Sequence, residues 1–158
     1  YGNLLEEKDG KEIEEKIIRD EDFVVYGYSL IRKELRDIPK AGKLSKKARI
    51  LLLNMYDKIT ENHFFEHSIE ITILAKKYCN HYKNLGGVYG WNTNIRIDFM
   101  IIACASFHGL DIVYSSDNKT MFNKKAKKAY EHINIKENLR SPYCLKYEYL
   151  LKKFRNLL

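Results

Sequence analysis

The segment "IDFMIIACASFHGLDIVYSSD", residues 97–117, changes period once. A helix is expected over about 95–108, capped by Asn94, with Ile97, Ile101, Cys104 and Ala105 on one face. Gly109 ends it. "DIVYS" follows as a short β-branched run, which reads as a strand. An apolar helix turning back at a glycine into a strand is a unit of a helix-covered sheet.

The same alternation recurs along the chain. Residues 11–20, "KEIEEKIIRD", carry Ile13, Ile17 and Ile18 at helical spacing. "DFVVYGY", 22–28, reads as a buried strand. A helix over 29–39 starts at Ser29, stops before Pro39 and gathers Leu30, Ile31, Leu35 and Ile38 on one side. Another covers 46–57, with Ile50, Leu51, Leu53 and Asn54 placed inward. Residues 61–68 fit neither period. A long helix over 67–85 carries Ile71, Leu74, Ala75, Tyr78 and Tyr82, and 86–94 is a turn-rich loop with the only Trp. A basic helix at 123–132, a short strand at 133–135 and a closing helix at 143–158 complete the pattern. Strands alternating with helices predict an α/β fold, a three-layer α/β/α arrangement around a mainly parallel sheet. With 158 residues and 45% apolar composition, one domain over 1–158 is expected.

Several function classes lose support at this level. No apolar run approaches the roughly 18 residues of a membrane span, and no signal peptide is visible. Cys79, Cys104 and Cys144 are odd in number and lack a CxxC pair, which fits a reducing cytoplasm better than a disulfide scaffold or zinc ribbon. His63 and His67 stand four apart without an obvious third ligand. "NLGGVYG" lacks the Lys-Ser/Thr of a phosphate loop. A net charge of +7 favours a polyanion or an acidic partner. Lys40, Lys43, Lys46, Lys47 and Arg49 form one basic group; Lys119, Lys124, Lys125, Lys127 and Lys128 form another. Tyr89 and Trp91 can stack on unpaired bases or fill space between helices.

In parallel sheets the working site lies beyond the carboxyl ends of the strands. Three acids fall at that edge: Glu34 on the helix after the first strand, Asp98 in a first helical turn, and Asp117 just past a strand. Clustered carboxylates repel unless a cation or proton neutralises them, and hard oxygen donors suit Mg²⁺ or Mn²⁺. Each acid also has a simpler reading. Glu34 is one charge among Arg32, Lys33 and Arg36, Asp98 complements a helix dipole, and Asp117 serves a turn.

Three stretches resemble the PIN-domain family, the fold of metal-dependent nucleases that includes VapC-type toxins. "VVYGYSLIRKELRDI" resembles the family's second strand and its acid-bearing helix. "IDFMIIACASFHGLDIVYSSDNKTM" is similar to its "D-x-x-I-x-A-x-A…ivTxD" segment. "NIKENLRSPYCLKYEYLLKKF" fits its last strand and helix. The resemblance implies that Glu34, Asp98 and Asp117 bind Mg²⁺ or Mn²⁺ and carry catalysis, with Ser115 and Asn118 in support. It implies an endoribonuclease acting on RNA, with an antitoxin protein as partner and self-association into a homo-oligomer. The alternative is a non-catalytic RNA-binding or scaffolding module. Family members open with a strand ending in Asp. Nothing in this sequence supplies it: either that strand lies upstream of Tyr1, the reading a first residue other than Met favours, or the site has one acid fewer.

Overall fold

The computed structural model describes residues 2–37 and 46–155. Its elements are α1 (Gly2–Glu6), α2 (Gly10–Arg19), β1 (Gly27–Tyr28), α3 (Ser29–Asp37), α4 (Lys46–Thr60), β2 (Phe64–Phe65), α5 (Ile69–Asn84), α6 (Ile95–Phe107), β3 (Ile112–Ser115), α7 (Lys124–Lys136), β4 (Tyr143–Lys146) and α8 (Tyr147–Arg155). They gather into two compact units: the described parts of Tyr1–Glu66 and Leu151–Leu158, and His67–Leu150. Each unit mixes helix with one short parallel strand pair, β1–β2 in the first and β3–β4 in the second. Among the described residues, no helix is long and apolar enough to cross a membrane.

In the first unit, Ile13 and Ile17 of α2 and Leu52, Met55, Tyr56 and Ile59 of α4 are buried. Tyr56 ties α4 to the strand pair. Its hydroxyl accepts the Tyr28 N–H at 2.6 Å and donates to the Tyr28 carbonyl at 3.1 Å. Gly27 is required by close approach, since a Cβ there would stand 2.8 Å from the Phe64 ring. Glu14, largely buried, is paired with Lys58 at 2.7 Å. Two expectations are corrected here. The inner face of α4 is the set just named, with Thr60, while Ile50 and Leu51 are about half exposed and Asn54 is exposed. The run "ILLL" offers apolar side chains on every side, and the position of Tyr56 selects among them. The strand expected over 22–28 pairs only at Gly27 and Tyr28, because its partner run is itself two residues long. Ile38, Pro39, Lys40 and Lys43 lie outside the described residues.

In the second unit, α5 buries Ile71, Leu74, Ala75, Tyr78, Cys79 and Tyr82, including all five residues expected. Ser68 caps it by accepting the Ile71 N–H. α6 is buried almost all round between Phe99 and Ser106, whereas Ile97 and Ile101 are only half-buried. Asn94 precedes it without a side-chain cap bond. α7 runs four residues beyond the expected end: Ala126, Ala129, Tyr130, Ile133 and Asn134 are buried at helical spacing, so "INI" at 133–135 is helix, not strand. The strand of that region is instead β4, after Pro142. It pairs in parallel with β3, from Ile112 opposite Tyr143 to Ser115 opposite Lys146. The closing helix therefore starts at Tyr147 rather than 143. A polar knot sits inside this unit. The Asn134 amide donates to the Ser106 and Ser141 hydroxyls and accepts from Tyr78, which satisfies the buried polar groups of Tyr78, Ser106 and Asn134 with the half-buried Ser141.

Candidate functional site

The second unit brings Asp98 and Asp117 together. α6 descends to Gly109, which takes φ +65° and reverses the chain into β3. The start of α6 therefore lies beside the end of β3. Asp98 stands in the first turn of α6, and Asp117 two residues past Ser115. Between them is Thr120. Its Oγ1 lies 2.5 Å from Asp98 Oδ2 and 2.6 Å from Asp117 Oδ2. A hydroxyl has one proton and two lone pairs. It can donate to one carboxylate, and the other contact then needs a proton held by that carboxyl.

The two acids differ in environment. Burial raises the Asp98 carboxyl to about 6; the Thr120 hydroxyl opposes the rise, and the Asp117 charge adds to it. Burial also raises Asp117. That effect is outweighed by the Thr120 hydroxyl, the Thr120 and Lys119 amides and the Lys119 charge, so Asp117 is held below its ordinary value. Below about pH 6 the shared proton belongs to Asp98, and Thr120 then donates to Asp117; above it both acids are ionised and the one hydroxyl proton serves one of them at a time. Carboxyl groups pushed apart in this way are a common mark of working sites.

The turn from 117 to 122 holds this arrangement. Asp117 Oδ1 accepts the Lys119 N–H at 2.8 Å and the Thr120 N–H at 2.9 Å. The Ser115 hydroxyl accepts the Asp117 N–H at 3.0 Å. Met121 and Phe122 are buried behind the turn. From α7, the Tyr130 hydroxyl donates to the Met121 carbonyl at 2.8 Å. Burial, with the nearby Asp98 charge, pushes that phenol well above its usual range, so it stays a donor. Asn118 is exposed beside Asp117.

Glu34 stands exposed on α3, in the first unit. Among the described residues, no group of three or more His, Cys, Asp or Glu is placed to hold a metal ion. The oxygens of Asp98, Asp117 and Thr120 are nevertheless the hard donors that Mg²⁺ or Mn²⁺ takes, and such ions are often held by one or two carboxylates with water completing the shell. Thr120 and Tyr130 escape sequence reasoning. The only available signal was the D-x-x-T spacing, in which an Asp side chain caps the amide three residues on.

Around the site, Lys119, Lys124, Lys127 and Lys128 are exposed, while Lys125 donates to the Gly86 carbonyl at 2.6 Å. Trp91 is half-buried, with the Lys76 ammonium 5.9 Å from its ring centre. In the first unit, Lys46 and Lys47 are exposed and Arg49 half-buried. His67 meets the Thr72 hydroxyl at 2.8 Å, and His81 stacks on His132 at 4.2 Å. The three cysteines are free thiols.

Set against family models, curated proteins and solved structures, the chain matches none of them.

Proposed function

We propose that this chain is a Mg²⁺- or Mn²⁺-dependent endoribonuclease with a PIN-like three-layer α/β/α fold. One observation carries the reading: Asp98 and Asp117, from segments nineteen positions apart in sequence, converge on one hydroxyl at the carboxyl end of a parallel strand. Without a cation such a pair either holds a proton, as it does below about pH 6, or bears the repulsion of two charges. A divalent ion held by Asp98 and Asp117 would offset that charge; the resemblance also assigns Glu34, which lies in the first unit. When bound, the ion supplies Lewis-acid charge for phosphodiester hydrolysis. The chain's own residues do the rest. Ser115 fixes the backbone of Asp117, and Asn118 is a polar neighbour at the same rim. Lys119 and the exposed lysines of α7 draw in the phosphate backbone. RNA as substrate, a protein antitoxin, self-association and a cytoplasmic setting enter through the resemblance.

The test is cleavage of labelled RNA by the purified chain in Mg²⁺, in Mn²⁺ and in EDTA. Cleavage should need the divalent ion and fall at least about 100-fold in Asp98→Asn and Asp117→Asn, as loss of a charge-stabilising group does. Full activity in either variant would sink the assignment. The alternative is a non-catalytic RNA-binding or scaffolding module, favoured by a carboxylate pair standing without a third acid inside the second unit. It predicts RNA binding indifferent to Mg²⁺ and no cleavage under any of these conditions.

A further inference from the structure

The loop over 86–92 is wound on Tyr82, a buried residue of α5 with Phe99 edge-on to its ring. Gly86 turns the chain with φ +79°, and a Cβ on Gly87 would run into the Tyr82 ring. The Gly87 N–H bonds the Tyr82 carbonyl at 2.9 Å, and the Tyr82 hydroxyl accepts the Val88 N–H at 3.2 Å and the Tyr89 N–H at 3.5 Å. Lys125, in the first turn of α7, donates to the Gly86 carbonyl. A loop held at so many points nevertheless leaves Val88 77% and Tyr89 39% exposed. Trp91 differs: it is half-buried, with the Lys76 ammonium over its ring. Trp91 therefore belongs to the frame of the loop, and Tyr89 to its outer surface.

The segments around this loop carry one sign of charge. Residues 71–97 and 118–130 contain no Asp or Glu, and Lys83, Arg96, Lys124 and Lys127 are exposed on them. The loop runs directly into α6, whose first turn holds Asp98, so Tyr89 stands at the end of the second unit where the two acids meet.

We propose that Tyr89 is a stacking platform for an unpaired base of a bound RNA strand, whose phosphates lie along the lysines at the start of α7. This rests on the RNA reading above and not on its metal chemistry. An aromatic ring on a fixed support offers a flat face to any base, with little ordering left for binding to impose. In a duplex each base face is covered by its neighbours, so the platform selects single-stranded RNA.

The experiment is fluorescence anisotropy of the whole chain in EDTA with a short labelled RNA of mixed sequence, as a single strand and as a perfect duplex. The parent is compared with Tyr89→Phe, Tyr89→Leu and Tyr89→Ala. Thermal melts establish that each variant is folded, and Tyr89→Leu keeps the apolar bulk where Tyr89→Ala does not fold. The parent should bind the single strand more tightly than the duplex. Tyr89→Leu should weaken the single strand at least about 5-fold, the lower end of what one stacked base contributes, and leave the duplex unchanged, while Tyr89→Phe stays within about twofold of the parent. The slope of affinity against salt should not move, because no charge is removed. If Tyr89→Leu binds the single strand like the parent, or weakens strand and duplex alike, the Tyr89 assignment falls alone. If the parent binds neither form, the RNA reading falls with it.

Discussion

At the scale of single residues, the site is an asymmetric carboxyl pair, and that asymmetry has a consequence for stability. Asp98 is raised in the folded chain to about 6 from an ordinary value of 3.8. Between roughly those values the folded state holds a proton that the unfolded state has released. Stability without metal therefore falls as pH rises from about 4 to 6 and levels off above. Asp117 is depressed, so its contribution is present above its ordinary value and is lost only on stronger acidification. Asn in place of Asp98 mimics the neutral carboxyl and can donate to Thr120. Asp98→Asn should match the parent in EDTA near pH 4 and exceed it by on the order of 1–2 kcal/mol above pH 7, allowing for partial solvent screening. Denaturant melts across that range check this, and a gap that is constant with pH would contradict it. Asp98 and Asp117 could be picked out in the sequence because position on a helix start and a strand end is a property of the chain itself. Thr120 could not, because a threonine in a polar turn follows no period and its meaning comes from a residue 22 positions away.

At the scale of elements, the second unit closes its helices with one device. After α5, α6 and α7 the chain enters left-handed backbone at Gly86 (φ +79°), Gly109 (φ +65°) and Asn138 (φ +54°). In each case the next residue's N–H reaches back across the last turn: Gly87 to Tyr82, Leu110 to Ala105 and Leu139 to Asn134. The Gly109 stop was readable because glycine is the usual residue there. The stop after α7 was hidden, since Asn138 is a weaker signal and "INI" has strand composition. Burial at 126, 129, 130, 133 and 134 overrode that local preference. β4 was hidden for the converse reason: "YCLK" runs without a break into α8, and its strand character comes from its pairing with β3. Gly109 permits a clean test. A Cβ there would meet nothing within 4 Å, so only the backbone resists it. Gly109→Ala should destabilise the fold by about 1 kcal/mol, read as a shifted denaturation midpoint with an unchanged slope. No shift would mean that this turn does not hold α6 against β3.

At the scale of the whole molecule, charge is the property that local structure does not explain. A net +7 on 158 residues destabilises a compact chain through self-repulsion, and most of the lysines near the site are not consumed by ion pairs. Lys125 is held by a carbonyl, whereas Lys119, Lys124, Lys127 and Lys128 are exposed on or just before α7. The electrostatic cost makes sense if a polyanion relieves it. If each of those four lysines neutralises one phosphate of single-stranded RNA, the log–log slope of affinity against salt is about −3, and affinity drops on the order of 50-fold between about 50 and 200 mM salt. Filter binding in EDTA measures this without cleavage. Lys127→Glu with Lys128→Glu should flatten the slope while leaving the melting temperature nearly unchanged, because both side chains are exposed. An unaltered slope would place the RNA-binding surface elsewhere, and Lys46, Lys47 and Arg49 of α4 are the group to test next. This measurement is independent of the carboxyl pair: a chain that binds RNA with steep salt dependence and never cleaves it keeps its charge pattern explained and loses only its chemistry.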